Sequence, residues 1–338
     1  MPPGARGPVG PRPARRALLA PDSFKGTMAA SRVAAALAGP FAAAGLETDV
    51  CPLADGGEGT AEALLRALGG EWLEARAHDP LGRAISARWA LLGDGRAVVE
   101  SAAASGLALL RADELDAESA SSRGTGELIA AALAGGARTV LVGLGGTATT
   151  DGGAGAIEAL EEAGVPERAR LVCLCDVRTP WERAAATFGP QKGAGPAAVA
   201  RLEARLERLA EALPRDPRGR PFTGAAGGLA GGLWARFGAE LRPGAAYVIE
   251  ALGFERRLSA SDLAVTGEGR LDATSLEGKV VGEVAALCRR AGVPLHIVAG
   301  QVAAGPGALA ALGAASVREA GDEEAIRAAA AAIAAAIA

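Results

Sequence analysis

The sequence predicts an α/β protein of two lobes, one built on a doubly wound, mainly parallel sheet and the other an α/β lobe carrying an antiparallel meander. Three observations lead there. Short apolar runs alternate with helical patterns over most of the chain, and parallel strands joined by helices form doubly wound sheets. Residues 72 to 101 break that rhythm, placing turn residues between three apolar runs. A chain of 338 residues, 50% hydrophobic and 22% charged, is long enough for two compact domains of roughly 150 residues each.

Residues 1 to 16 are rich in Pro, Gly and Arg without apolar periodicity and are expected to form a disordered extension or an over-long start. Arg15-Arg16 has the outline of a twin-arginine signal, but the apolar run behind it, Ala17 to Ala20, is too short for a signal core and ends in Pro21-Asp22. That run reads as the first strand. An Ala-rich helix near Thr27 to Ala38 and a second strand over Thr48 to Leu53 follow. Trp72 to Ala77, Ile85 to Leu92 and Ala97 to Glu100 make the meander, separated by Asp79-Pro80-Leu81-Gly82 and Gly93-Asp94-Gly95. Alternation resumes with a helix over Gly124 to Ala134, a strand over Thr139 to Leu144, a helix over Ala154 to Ala163 and a strand over Leu171 to Cys175. Val199, Leu202, Leu206, Leu209 and Leu213 recur at spacings of three and four, marking one packed face of a helix over 196 to 213. Strands at Leu263 to Thr266 and Leu295 to Ala299 flank a helix over Val280 to Ala291, with a further strand at Ala314 to Val317. The alanine tract behind Asp322-Glu323-Glu324 begins with an acidic first turn and reads as a packed terminal helix. One lobe is expected to comprise 17–68 and 260–338, flavodoxin- or Rossmann-like, and the other 69–259 with the meander.

Composition excludes several functions. The formal net charge of −4 and the lack of a basic stretch leave nothing to displace counterions from a nucleic-acid backbone. Aromatic residues, at 3%, are too sparse for base stacking. No segment approaches the ~18 apolar residues of a membrane span. Of four cysteines, Cys173 and Cys175 fall on one face of a buried strand, and only His78 and His296 could complete a zinc set around them. All four are expected to be reduced thiols of a cytoplasmic protein.

Among 35 basic residues only three are lysine, asparagine is absent, and every lysine adjoins a glycine: Lys25-Gly26, Lys192-Gly193 and Gly278-Lys279. Arginine has been accepted wherever a bare charge suffices, so the surviving lysines mark positions a planar guanidinium does not fit. An ammonium beside a turn glycine is suited to gripping phosphate. Ligand sites of such sheets lie at the carboxyl ends of the strands. The loops there repeat one formula, carboxylate plus glycines: Asp22-Ser23-Phe24-Lys25-Gly26, Asp55-Gly56-Gly57-Glu58-Gly59, Gly145-Gly146 with Asp151-Gly152-Gly153, and Gly267-Glu268-Gly269-Arg270-Leu271-Asp272. Glycines let backbone N–H groups and helix N-termini approach an anion, and carboxylates beside a polyphosphate make sense when they hold a divalent cation. Together these parts describe a kinase site. Asp-Gly-Gly alone is ordinary turn sequence, and lone arginines such as Arg123 and Arg270 are more often surface charges. Gly143 to Ala148 also fits the dinucleotide pattern G-x-G-x-x-A, without the acidic residue expected about 20 positions on, and no P-loop occurs.

At these loops the chain resembles the bacterial glycerate kinase family. The matching stretches are APDSFKGTMAA, PLADGGEGTAEAL, SSRGTGELIAAAL, LGGTATTDGGAGAIEAL, CDVRTP, FGPQKGA, GAAGGLAGGL, LAVTGEGRLD and GKVVGEVA, in family order from residue 20 to about 300, and they hold all three lysines. The resemblance implies a two-lobed enzyme that phosphorylates D-glycerate from ATP with Mg2+, usually at the 2-hydroxyl to give 2-phosphoglycerate. By position it implies a cleft containing Asp22, Ser23, Lys25, Asp55, Glu58, Asp151, Asp176, Lys192, Glu268, Arg270 and Asp272. Within it, Lys25 and Lys192 are expected to contact phosphate or carboxylate, and Asp151 to orient or deprotonate the glycerate hydroxyl. Arg270 or Arg123 is expected to grip the substrate carboxylate. Asp55, Glu58, Glu268 and Asp272 are expected near the metal, and Asp22, Ser23, Gly56, Gly57, Gly145, Gly146, Gly152, Gly153, Gly267 and Lys279 near the nucleotide. Thr147, Thr150, Thr179 and Thr274 depart from the family pattern, the last three standing where it has amides whose paired donor and acceptor threonine cannot supply. Two rival readings are a nicotinamide-dependent oxidoreductase of a small hydroxy acid and a catalytically silent ligand-binding member. No nucleic-acid or membrane partner is expected, and a homodimer is left open.

Overall fold

The computed structural model describes residues 15–337 apart from 167 and 277, so the extension expected over 1–16 lies, through residue 14, outside the described residues. Strands run in the order β1 (Arg16–Leu19), β2 (Glu47–Val50), β3 (Gly70–His78), β4 (Ala84–Leu92), β5 (Ala97–Glu100), β6 (Thr139–Leu144), β7 (Arg170–Cys175), β8 (Glu240–Pro243), β9 (Leu263–Thr266), β10 (Arg270–Leu271), β11 (Leu295–Ala299), β12 (Gln301–Val302) and β13 (Ser316–Glu319). Two compact units result. The first takes the chain up to Pro52 with Glu255–Ala273 and the residues from Val284 onward; the second takes Leu53–Phe254 and Thr274–Glu283. This division falls earlier than the 68/69 and 259/260 boundaries read from the sequence. The helix Thr60–Leu68 packs on β4 and β5 and therefore goes with the second unit.

The first unit is a five-stranded parallel sheet in the order β13-β11-β9-β1-β2. Interior strand β1, flanked by β9 and β2, is buried on both faces, which is why Ala17, Leu18 and Leu19 form a continuous apolar run rather than an alternating one. Helices Ala30–Ala43 and Glu323–Ala335 pack together over it, burying Leu37, Phe41, Ile326 and Ile333 against Leu19 and Val265. The terminal helix opens where its acidic turn predicts. Asp322 caps it, its Oδ1 accepting from Ala325 N at 2.8 Å.

The second unit is a six-stranded sheet in the order β3-β4-β5-β6-β7-β8. Pairings β3–β4 and β4–β5 are antiparallel and the rest parallel, so the meander forms where its turns predict. Asp79 builds the first turn: its Oδ1 accepts from Leu81 N and Arg83 N, both at 2.9 Å. Trp89, Leu128, Ile129, Val140, Val142, Leu160 and Leu233 form the main core. A second cluster surrounds Trp181, whose indole N–H donates to Leu206 O at 3.1 Å; the helix Pro196–Ala212 contributes Leu202, Leu206 and Ala210. The four cysteines are free and buried, and burial pushes the Cys173 thiol up to about 12. Among the described residues no helix is long and apolar enough to cross a membrane.

Candidate active site

In the second unit the loops at the carboxyl ends of β5, β6 and β7 meet the loop that precedes helix Thr60–Leu68. Glycines permit the approach. A Cβ on Gly145 would lie 3.1 Å from Gly57 Cα and 3.6 Å from an Asp176 oxygen, and one on Gly56 would lie 2.7 Å from Gly244 Cα. A Cβ on Gly146 would collide with the Glu58 carboxylate. Gly56, Gly57, Gly145 and Gly146 are thus placed together, with Asp55, Glu58 and Asp176 around them. Asp55 is buried and its Oδ1 accepts from Gly57 N at 3.2 Å, whereas Glu58 is exposed.

Lys192 and Asp151 occupy the same region. Lys192 is 2% exposed, and its Nζ donates to Thr149 O at 2.6 Å and to Thr147 Oγ1 at 3.3 Å. Burial lowers its pKa to about 8, against the opposing pull of Asp151 and Asp176. Gly193 has φ of 91° and no room for a Cβ against Leu115 O, which accounts for the Lys-Gly pair here. Asp151, 1% exposed, is fully engaged. Its Oδ2 accepts from Ser122 N at 2.9 Å, Ser122 Oγ at 2.7 Å and Gly155 N at 3.2 Å, and its Oδ1 from Gly153 N at 3.0 Å. A carboxylate so committed anchors the starts of helices Arg123–Ala134 and Ala154–Ala163, which alters the expectation that it faces a substrate hydroxyl.

Gly152 and Gly153 also turn out to be structural. Gly152 N donates to Gly227 O at 3.0 Å, Gly153 N is spent on Asp151, and a Cβ on Gly152 would lie 2.7 Å from the Trp181 ring. Neither amide is left for a nucleotide. Arg123 is likewise taken up, pairing with Glu127 at 3.1 Å, Glu162 at 3.3 Å and Glu158 at 3.5 Å. Gly143 to Ala148 lacks the context of a dinucleotide fingerprint, because the following helix begins only at Ala154. Lys279 is half-buried immediately before helix Val280–Ala291, its carbonyl accepting from Glu283 N at 3.0 Å.

In the first unit the loops after β1, β9 and β11 interlock. Asp22 N donates to Gly267 O at 2.8 Å, Gly300 N to Glu268 O at 3.0 Å, and Ser23 N to Asp22 Oδ1 at 2.6 Å. Gly267 and Gly269 allow this; a Cβ on Gly269 would lie 3.1 Å from Lys25 N, and one on Gly267 would strike Val298 O. Phe24 and Met28 bridge across a tight turn with Phe24 buried beneath it, so Lys25 is exposed at the tip, beside Gly26 with φ of 76°. Arg270 is exposed, its guanidinium donating to Gln301 Oε1 at 3.0 Å and lying 3.5 Å from Asp272. Glu268 is 8% exposed.

Asp55 and Glu58 belong to one unit, and Glu268 and Asp272 to the other. Among the described residues no group of three or more His, Cys, Asp or Glu side chains is placed to hold a metal. Taken within its own unit, each pair has the oxygen-donor chemistry suited to a Mg2+ that arrives with a nucleotide, keeping several waters and taking one or two carboxylates beside the phosphates.

Two residues escape sequence reading. Ser122, fully buried, holds Asp151 and accepts from Ala156 N at 3.0 Å; its neighbours match the family stretch, but nothing in sequence ties it to a carboxylate in another loop. Glu100 ends β5, and its Oε1 accepts from Ala61 N at 2.8 Å, capping helix Thr60–Leu68. Burial raises its pKa, with Glu58 adding to the effect. A carboxylate closing a buried strand was the available signal.

A profile described as the glycerate kinase family matches residues 17–167 and 163–337. The glycerate 2-kinase of Escherichia coli K12 is 37% identical over 323 residues, covering 84% of this chain and 85% of its own length. The glycerate kinase of Bacillus subtilis 168 is 38% identical with the same coverages. A crystal structure from Salmonella typhimurium LT2, assigned as glycerate kinase 2, superposes with a TM-score of 0.81 at 34% identity and covers 96% of this chain and 98% of that one.

Proposed function

Because this chain belongs to the glycerate kinase family and is a kinase, we propose that it transfers the γ-phosphoryl group of ATP to the 2-hydroxyl of D-glycerate, giving 2-phosphoglycerate and ADP, with Mg2+ accompanying the nucleotide. The observation that carries this reading is the buried Lys192 ammonium, held by Thr149 O and Thr147 Oγ1 and within electrostatic reach of Asp151 and Asp176, in the same unit as a cradle built by Gly56, Gly57, Gly145 and Gly146. Preference for the 2-hydroxyl is supported by the 37% identity to a protein described as a glycerate 2-kinase.

Phosphoryl transfer asks a protein mainly for positioning and charge neutralisation. Lys192 offsets negative charge on the transferring group or the substrate carboxylate. Asp176, half-buried at the end of β7 against Gly145, orients the attacking hydroxyl and takes the proton it loses, since Asp151 is occupied as an anchor. Asp55 with Glu58 in the second unit, or Glu268 with Asp272 in the first, would hold Mg2+ or its waters, and the ion would supply neutralisation of phosphate charge. Lys25 serves as a phosphate partner and Arg270 as a carboxylate partner. The test is glycerate-dependent ADP release, with phosphorus NMR of the product. A 2-phosphoglycerate signal is expected. Folded protein that releases no ADP in response to D-glycerate would refute the reading, and a 3-phosphoglycerate signal would refute its regiochemistry.

A further inference from the structure

Strand β3 ends the six-stranded sheet of the second unit, and among the described residues no strand pairs with its outer side. Along Gly70–His78 the side chains of Trp72, Glu74 and Arg76 are exposed on one face, while Leu73, Ala75 and Ala77 turn to the core. The backbone also alternates. Asp79 N donates to Arg83 O at 2.9 Å, across the ladder to β4, so the amides of Trp72, Glu74 and Arg76 point away from the sheet. At the far end of the strand His78 N is used up by Glu127 Oε2 at 2.8 Å, which limits the open edge to the stretch around Ala75.

Natural edge strands are guarded against self-pairing, often by charges that repel across a two-fold axis. Here the charges do the opposite. Antiparallel pairing about a two-fold through Ala75 sets Glu74 opposite Arg76 of the second copy, and Arg76 opposite Glu74, in a hydrogen-bonded register that uses the outward amides of both residues. Arg76 has no ion-pair partner within the chain among the described residues, and Glu74 accepts only the Ser86 hydroxyl, at 2.9 Å. The exposed large hydrophobic side chains of the described residues are Trp72, Leu81 and Leu276, and the first two belong to this hairpin. The same register places Trp72 of one copy opposite His78 of the other, with the Leu81 tip of the second copy just beyond. Arg88 already lies over the Trp72 ring at 4.2 Å and holds it against the outer face.

We infer that β3 is the seam of a homodimer in which two six-stranded sheets join edge to edge. Sedimentation velocity of the full chain over a wide range of protein concentration reads this directly. Wild type is expected to be dimeric. Glu74→Arg and Arg76→Glu each turn two attractive cross-strand pairs into repulsive ones and should weaken the dimer about tenfold or more. The double swap E74R/R76E restores opposite charges and should restore the dimer. Glycerate-dependent turnover and far-UV circular dichroism show that the variants fold, since neither position belongs to the catalytic loops. A monomeric wild type, a dimer indifferent to both single changes, or a double swap that stays monomeric would each overturn the inference.

Discussion

A lysine whose ammonium is buried among backbone carbonyls and carboxylates is sensitive to pH in two opposite ways, and Lys192 should show both. Its pKa lies at about 8 in the folded chain against an ordinary 10.5. Between those values the unfolded chain holds a proton that the folded chain has released, so stability rises as pH climbs from about 8 to 10.5. The cost carried by the charged form at neutral pH is about 3 kcal/mol. Activity moves the other way, because the neutral amine no longer offsets phosphate or carboxylate charge. We expect kcat/KM for glycerate to fall above a midpoint near 8, while unfolding free energy, measured as the difference from Lys192→Met, climbs over the same window. A flat rate profile up to the range of an ordinary lysine would show that the Lys192 charge has no part in turnover.

At the scale of elements, the joint between two helices rests on one carboxylate. Asp151 satisfies amides at the starts of helices Arg123–Ala134 and Ala154–Ala163, and Ser122 Oγ closes the joint by serving both Asp151 Oδ2 and Ala156 N. Ser122→Ala should cost about 1.5–3 kcal/mol of stability and Asp151→Asn about 2–4 kcal/mol, because each leaves buried polar groups without partners. Urea unfolding alongside turnover distinguishes anchor from base: a base would lose turnover with stability within about 0.5 kcal/mol of wild type. The sequence conveyed the elements unevenly, for physical reasons. Val140 to Leu144 and Leu171 to Cys175 are continuous apolar runs because parallel strands buried on both faces select them. β8, Glu-Leu-Arg-Pro, carries no such run, because it sits at the sheet's edge with one neighbour. Helix Leu229–Phe237 was hidden by Gly231 and Gly232, which weaken helix propensity but let the helix lie against Trp181 and Gly152. For Asp151 the sequence shows the carboxylate and its glycines, while the donors that occupy it lie partly in a loop 29 residues away.

For the whole molecule, the scarcity of lysine makes one experiment unusually clean. With only three side-chain amines in 338 residues, an amine-acylating reagent maps the lysine environments with little background. Lys25 is exposed at a loop tip, Lys279 is half-buried before a helix, and Lys192 is 2% exposed. In the native protein we expect mass spectrometry to find Lys25 modified first, Lys279 more slowly and Lys192 last, although its lowered pKa makes it the most nucleophilic in principle. In denaturant the three should converge, which checks that burial alone sets the order. The same map tests the role assigned to Lys25. The loop gives it a built position, over buried Phe24 and beside Gly269, and a side chain placed there only for solubility would need neither. If Lys25 grips phosphate, Mg·ATP at ten times its Kd should slow Lys25 modification about tenfold and leave Lys279 at its own rate unless that residue also meets nucleotide. Labelling of Lys25 that continues unchanged with Mg·ATP and glycerate both saturating would remove it from the site, and Lys25→Ala would then be expected to turn over at the wild-type rate.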